Sequence, residues 1–290
     1  MPRVNYQAPS TVEDAVKLLA GSSGLAKVLS GGTDLLVQLK SGRLKPELIV
    51  DTKRIPGIIG IREEGGSWVI GAATPGVLLS EHKQLEHDYP GIVEGVDLIG
   101  SMQIQGRCSI AGNLCNASPA ADSVPPVIAA RAVAVIAGPN GKRETPVESV
   151  VTGPGQTSLQ KGEFVVEFRV PKPKPRQCDA YLRFIPRTEM DIAVVGCAVN
   201  VTLDASGTCT DARVVLGAVA PTQVVVEDAA KALIGHKLDD ATLQNLDAAA
   251  RAACKPINDK RGTIEYRTKV AGVLARRAAA IAFDRAASRG

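Results

Sequence analysis

With 290 residues, 45% of them hydrophobic and 22% charged, the chain has the length and composition of one large or two ordinary soluble domains with real cores. Its 34 basic and 30 acidic residues leave a dispersed net charge of +4, and aromatics make up only 3%. This argues against nucleic acid as a partner, which calls for a clustered basic face or a stacking platform.

The opening "MPRVNYQAPSTVED" lacks the basic-then-apolar pattern of a secretory signal. No apolar run approaches bilayer length, so no transmembrane segment and a cytoplasmic location are expected. Ser10-Thr11-Val12-Glu13 reads as a capping box, with Ser10 and Glu13 each satisfying an orphan amide. Val12, Val16 and Leu19 give the helix behind it an apolar face. Strand, helix and strand follow in "AKVLS", "TDLLVQLKSG" (closed by Gly42) and "ELIVDT". "SWVIGAA", "AVAVIAG" and "EFVVEFRVP" read as further strands between Gly- and Pro-rich loops. "SEHKQLEHDYP", which carries His82 and His87, reads as a solvated helix and turn.

Pro171, Pro173 and Pro175 alternate with basic residues, a composition that favours an extended, semi-rigid connection and marks a domain boundary. Beyond it come the β-type stretches "DIAVVGCAVNVTLD" and "ARVVLGAVA", then the Ala-rich helices "VVVEDAAKALIG", "ATLQNLDAAARAAC" and "TIEYRTKVAGVLARRAAAIAFDRAA". In the last, Tyr266, Val270, Val273, Leu274 and Ile281 fall on one side. Strands followed by helices predict an α+β domain with helices on one face of a sheet.

Several common chemistries leave no trace. The phosphate loop G-x-x-x-x-G-K-[ST], the nucleophile elbow and H-E-x-x-H are absent. The run Gly153-Pro154-Gly155 lacks the third glycine of a dinucleotide fingerprint and precedes a strand rather than a helix. Cys108, Cys115, Cys178, Cys197, Cys209 and Cys254 are scattered, so neither disulfides nor a metal centre is expected.

Two stretches carry more. In Ser30-Gly31-Gly32-Thr33-Asp34, glycines between a strand and a helix start suit a tight turn, or let an anion lie against consecutive amides. Asp34 fits as the helix N-cap or as a partner for a ligand hydroxyl. The second stretch, "CSIAGNLCNASPAADSVPP", reads as a loop in which Gly112-Asn113 makes a left-handed or tight turn. Its many small residues leave room for a flat ligand against the main chain. Two amide-rich loops without either common phosphate fingerprint point toward a non-Rossmann dinucleotide site.

These segments, with "LIVDTKRIPGI", "IGAATP", "YLRFIPRTEMDIAVVGCAV" and "DKRGTIEYRTKVAGVLARRA", resemble in order and spacing the FAD-binding medium subunit of molybdenum hydroxylases, the xanthine dehydrogenase, aldehyde oxidase and carbon monoxide dehydrogenase family. The resemblance covers nearly the whole chain. It implies an α+β protein: a vanillyl-alcohol-oxidase or PCMH-type FAD-binding domain over 1–176, with lobes of about 1–55 and 56–176, and a smaller α+β domain over 177–290. It implies that Lys27, Val28, Leu29, Ser30, Gly31, Gly32, Thr33, Asp34 and Leu35 wrap the FAD pyrophosphate. Thr74 would sit by the flavin or its ribityl chain. Ser109, Ile110, Gly112, Asn113, Asn116 and Asp122 would complete the cradle, Val165 would contact adenine, and Arg183 would stand near the flavin ring where relatives carry lysine.

The chain departs from that pattern in places. Gln105 and Gly106 replace an Arg-Asn pair, and Arg183 brings a planar fork in place of an ammonium, which bears on flavin potential. The scattered cysteines argue against the inserted iron–sulfur loop of some relatives. On residue types alone, Arg183 also reads as a surface cation or a partner of Asp191, Thr74 as a buried hydroxyl bonded to main chain, and Cys108 and Cys115 as packing residues. The function implied is an electron-transfer oxidoreductase subunit without acid–base catalysts or metal of its own. It would work with a large molybdopterin subunit and a small subunit carrying two-iron clusters, as a dimer of heterotrimers, with NAD or a quinone as acceptor. A stand-alone flavin oxidase and a flavin-free scaffold are the alternatives.

Overall fold

The computed structural model describes residues 4–187 and 189–289; the opening Met1-Pro2-Arg3 lies outside them. The chain begins with β1 (Asn5–Gln7), α1 (Val12–Gly21), β2 (Ala26–Leu29), α2 (Leu35–Lys40) and β3 (Leu48–Asp51). The three strands form a parallel sheet in the order β1-β3-β2, so β3 is its centre and all four of its residues are buried. Helix α1 starts one residue later than the capping-box reading places it. Thr11, extended at φ −130°, is the N-cap, and its hydroxyl accepts from the Asp14 amide at 3.1 Å in place of Ser10. Ala15, Val16 and Leu19 are its buried face, with Val12 only half-buried.

Next come β4 (Ile61–Glu64), β5 (Ser67–Gly71), α3 (Gly76–Ser80), α4 (Lys83–Asp88), α5 (Pro90–Asp97), α6 (Met102–Gln105), α7 (Ile110–Cys115) and α8 (Val124–Ala129). β6 (Val133–Gly138), β7 (Gly141–Pro146), β8 (Val151–Gly153), β9 (Gln156–Thr157) and β10 (Phe164–Pro171) complete this part. β4-β5-β10-β6-β7 is an antiparallel sheet whose centre, β10, buries Phe164, Phe168 and Val170. Its core also holds Trp68, Ile70 and Ile136. Helix α4 is less solvated than its polar sequence suggests: Leu85 and Asp88 are buried, and the Asp88 carboxylate accepts from Trp68 Nε1 at 2.8 Å. His82 caps it by accepting from the Leu85 amide and meets the Trp68 ring edge-on at 5.1 Å.

The last part is β11 (Gln177–Phe184), β12 (Val195–Leu203), β13 (Cys209–Gly217), β14 (Val224–Val225), α9 (Glu227–Leu233), α10 (Asp240–Ala252) and α11 (Ile264–Ala287). The strands form an antiparallel sheet in chain order. Its own helices cover one face, while α5 and α8 of the first domain pack on the other. Burial on both faces explains why residues 195–201 of β12 are buried without alternation. On α11 the buried stripe is alanine: Ala271, Ala275, Ala278, Ala279, Ala282 and Ala286, with Leu274 and Phe283. Tyr266, expected on that face, is exposed, and Val270, Val273 and Ile281 flank it half-buried. Small side chains let the helix lie close to the sheet, and large flanking ones seal the margins. Among the described residues no helix is long and apolar enough to cross a membrane.

The two domains are joined by buried polar contacts. Asp179 of β11 accepts from the Gly91 amide at 2.9 Å, while its other carboxylate oxygen is buried without a hydrogen-bond partner. Glu94 accepts from the Tyr181 amide at 2.8 Å and pairs with Arg285, whose guanidinium also donates to the Asp179 carbonyl. Burial pushes the Asp179 carboxyl up to about 7, with the neighbouring Glu94 charge adding to it. The native state therefore holds a proton that the unfolded chain has lost, so stability falls as pH rises from about 4 to 7. Replacing Asp179 with asparagine is expected to flatten that slope. Thermal melts at pH 5 and pH 8 should separate less for the variant than for the wild type.

Candidate functional site

At the carboxyl ends of β2 and β3, where parallel sheets present their ligands, a cavity of about 570 Å³ opens between the turn after β2, α7 and the stretch leading into β10. That volume lies within the range of cofactor pockets, ~300–1,000 Å³. Its first wall is the turn after β2. Gly32 adopts φ +83°, a conformation that strongly favours glycine. Gly31 is required for a different reason: a Cβ there would stand 1.8 Å from the Arg107 carbonyl oxygen. The backbone amides of Gly31, Gly32, Thr33, Asp34 and Leu35 find no hydrogen-bond partner among the described residues. Five consecutive unpartnered N–H donors on residues that line a cavity suit an anion cradle. Lys27, half-buried on the same wall, adds a cation.

The second wall is the segment read as a loop, and here the reading is corrected. Ser109 is the N-cap of α7: its hydroxyl accepts from the Gly112 amide at 3.1 Å, and its carbonyl from the Asn113 amide at 3.0 Å. Gly112 and Asn113 are therefore helical, and the left-handed residue of the segment is Ala117, at φ 51°. The Asn113 side chain accepts from the Ser123 amide and hydroxyl, which ties α7 to the start of α8. The two walls are linked directly. Ser30 and Ser109 share a hydrogen bond of 2.8 Å between hydroxyls, and Gln38 donates to Asn116 at 2.9 Å.

A third wall runs from Thr157 to Val165. It turns at Gly162, φ +88°, and is pinned by a two-toothed ion pair in which Arg143 donates to both Glu163 carboxylate oxygens at 2.8 Å. Arg143 holds the Glu163 carboxyl below the ordinary carboxylate value.

Of the residues expected at the site, Lys27, Val28, Ser30, Gly31, Gly32, Thr33, Asp34, Leu35, Ser109, Gly112, Asn113, Asn116 and Val165 line the cavity together. Asp34 sits at the N-cap position of α2 but makes no capping bond. Asp34 lines the cavity, and desolvation raises its carboxyl above the usual value. Cys108 and Cys115 also line the wall; burial pushes the Cys108 thiol up to about 11, far from thiolate chemistry, while Cys115 is exposed.

Leu29, Ile110, Thr74, Asp122 and Arg183 stand outside the cavity. The Thr74 hydroxyl is consumed by main chain, accepting from the Gly60 amide at 2.9 Å and donating to its carbonyl. Arg183 pairs with Asp122 at 2.6 Å rather than with Asp191, which binds Arg187 and Arg261. Tyr181 also donates to Asp122, at 2.9 Å. Burial pushes the Asp122 carboxyl up to about 6, against the opposing pull of Arg183 and Tyr181. Gln105 donates to the Asp97 carbonyl, and a Cβ on Gly106 would meet open space. Sequence reasoning missed Leu25, Gln38, Ile99 and the stretch from Leu159 to Phe164. Only the glycine inside "QKGEF" hinted at a turn there.

A cavity of this volume, lined by unpartnered amide donors, a lysine and many small residues, fits a dinucleotide whose diphosphate meets the amides. Residues 2–173 match the family described as FAD binding domain in molybdopterin dehydrogenase. Residues 180–282 match the CO dehydrogenase flavoprotein C-terminal domain. The carbon monoxide dehydrogenase medium chain of Hydrogenophaga pseudoflava is 36% identical over 99% of each chain. The xanthine dehydrogenase FAD-binding subunit of Escherichia coli O157:H7 is 32% identical over 91% of this chain and 90% of its own. A solved carbon monoxide dehydrogenase from H. pseudoflava, lacking the Mo-pyranopterin moiety of its cofactor, superposes with a TM-score of 0.93 at 37% identity, covering 98% of both chains. With both halves matched and the donor cradle in place, the chain belongs to the FAD-binding medium-subunit family of the molybdopterin dehydrogenases.

Proposed function

We propose that the chain is the electron-transferring flavoprotein of a heteromeric molybdenum hydroxylase. Bound FAD supplies reversible two-electron chemistry. The residues of this chain bind it and set its surroundings. The amides of Gly31 to Leu35 and the Lys27 ammonium hold the diphosphate, and the stretch from Leu159 to Val165 shelters the adenine. Ser109 and Asn116 keep α7 against the first wall through Ser30 and Gln38, and Asn113 ties α7 to α8. Arg183, Thr74, Asp122, Leu29 and Ile110 act from behind the walls. The Arg183–Asp122 pair brings strand β11 and the second wall together, and its field is our candidate for tuning the flavin.

The observation that carries this reading is the run of unpartnered amides, Gly31 to Leu35, on residues that line the cavity. By analogy with the dehydrogenase subunits it resembles, the chain would receive electrons from iron–sulfur clusters on a small subunit, fed by a large molybdopterin subunit. It would pass them to NAD or a quinone, within a dimer of heterotrimers. Six unpaired cysteines suit a reducing, cytoplasmic setting. The expected result is a yellow protein that releases FAD stoichiometrically on denaturation and co-purifies with two further chains carrying molybdopterin and iron–sulfur. Flavin and substrate turnover in the isolated chain would instead make it a stand-alone oxidase. A colourless chain that takes up no FAD would make it a scaffold.

A further inference from the structure

We propose that Lys53 is a positioning residue for the first glycine loop, anchored by Asp51 and Tyr6, and that it sets the orientation of the Ser30–Gly31 peptide toward the diphosphate. This inference rests on the flavin reading and deepens it.

Lys53 follows β3, the central strand of the parallel sheet, and its ammonium crosses to the neighbouring turn, donating to the Ser30 carbonyl at 2.9 Å. The same ammonium meets Asp51 at 2.6 Å, and the Lys53 amide donates to that carboxylate oxygen at 3.0 Å. Tyr6, on the outer strand β1, donates to the second Asp51 oxygen at 2.7 Å. The line Tyr6–Asp51–Lys53–Ser30 thus crosses all three strands at their carboxyl ends. Although burial favours protonation of Asp51, the Lys53 and Tyr6 hydrogen bonds hold its carboxyl below the ordinary value. Lys53 itself is no part of the cavity wall, whereas Gly31 is.

In a trans peptide the carbonyl and the N–H point in opposite directions. A cation that holds the Ser30 carbonyl behind the wall therefore turns the Gly31 N–H into the cradle. The lock is needed because of Gly31 itself. Glycine is required there by the closeness of the Arg107 carbonyl, and its freedom in φ leaves the preceding peptide free to flip. A flipped peptide would present a carbonyl oxygen to two phosphates.

The test uses the full chain together with any chains that co-purify with it. FAD, ADP and riboflavin are titrated, and thermal melting reports folding. Lys53→Met is expected to weaken FAD and ADP by a common factor of about ten to a hundred, the range for one charged hydrogen bond. Riboflavin, which lacks the diphosphate, should bind unchanged, and Lys53→Arg should recover most of the loss. Unchanged FAD affinity in Lys53→Met, or an equal loss of riboflavin, overturns the proposal. If Lys53→Met does not fold, Tyr6→Phe decides: a loss of FAD without loss of riboflavin supports the relay, and unchanged FAD affinity overturns it. A wild-type chain that takes up no FAD overturns the cofactor reading itself, a result distinct from any variant's behaviour.

Discussion

Gly31→Ala is expected to lose FAD by about a hundredfold or more, because the methyl group has nowhere to go. Its carbon would stand 1.8 Å from the Arg107 carbonyl oxygen and 2.6 Å from the carbonyl carbon, both main-chain atoms that cannot rotate away. The turn and the segment before α7 must separate. That parts the Ser30–Ser109 hydroxyl pair and spreads amides that have to converge on one diphosphate. The fold itself should lose about 1–3 kcal/mol, the range for overpacking, so the chain stays folded while its cofactor leaves. Flavin absorbance per chain after gel filtration, beside a thermal melt, separates the two effects. Gly106→Ala is the control. It changes a glycine in the neighbouring segment whose added carbon meets nothing within 4 Å, and it should retain flavin.

Arg183→Met should cost about 3–5 kcal/mol of stability at pH 8, the range for leaving one half of a buried ion pair unpaired. The Arg183 and Asp122 side chains are 5% and 9% exposed and meet at 2.6 Å, so little water can replace the lost partner. The pH dependence identifies the cause. Without Arg183 the Asp122 carboxyl rises beyond its value of about 6 and takes up a proton in the folded state. The penalty then shrinks by about 1.4 kcal/mol for each unit the pH falls from that raised value to about 6, below which the wild type takes up its own proton and the difference stays constant. Urea unfolding at pH 8 and pH 5 checks this. A deficit equal at both would assign the loss to packing. The double variant with Asp122→Asn should be more stable at pH 8 than Arg183→Met alone.

The parts of the molecule legible in the sequence were those governed by neighbours along the chain. Alternating or continuous apolar runs marked β5, β6, β10, β12 and β13, and the glycine pair after β2 marked the cradle's first wall. Segments with two competing local signals were read less well. In Ser109-Ile110-Ala111-Gly112-Asn113 the Gly-Asn pair suggested a turn, yet Ser109 caps a helix across it. On α11 the large residues drew the eye, although alanines face the sheet. Arg183 and Thr74 show the deeper limit. Their partners, Asp122 and Gly60, come from elsewhere in the chain, and nothing beside either residue announces where its side chain will be spent. Likewise the stretch from Leu159 to Phe164 becomes a wall only because Arg143 reaches across from β7.

The proline-rich connector carries one more implication. Lys172 lies 3.5 Å above the Trp68 ring and bridges Glu63 and Asp88, Tyr89 donates to the Pro171 carbonyl at 2.6 Å, and Arg289 from the chain's far end grips the Gln177 carbonyl at 2.7 Å. A junction riveted from both sides makes a poor swivel. In the electron-transferring role proposed above, a partner docked on the C-terminal sheet and helices would meet the cofactor at a set range, and such stiffness would hold the rate of electron transfer even from one turnover to the next.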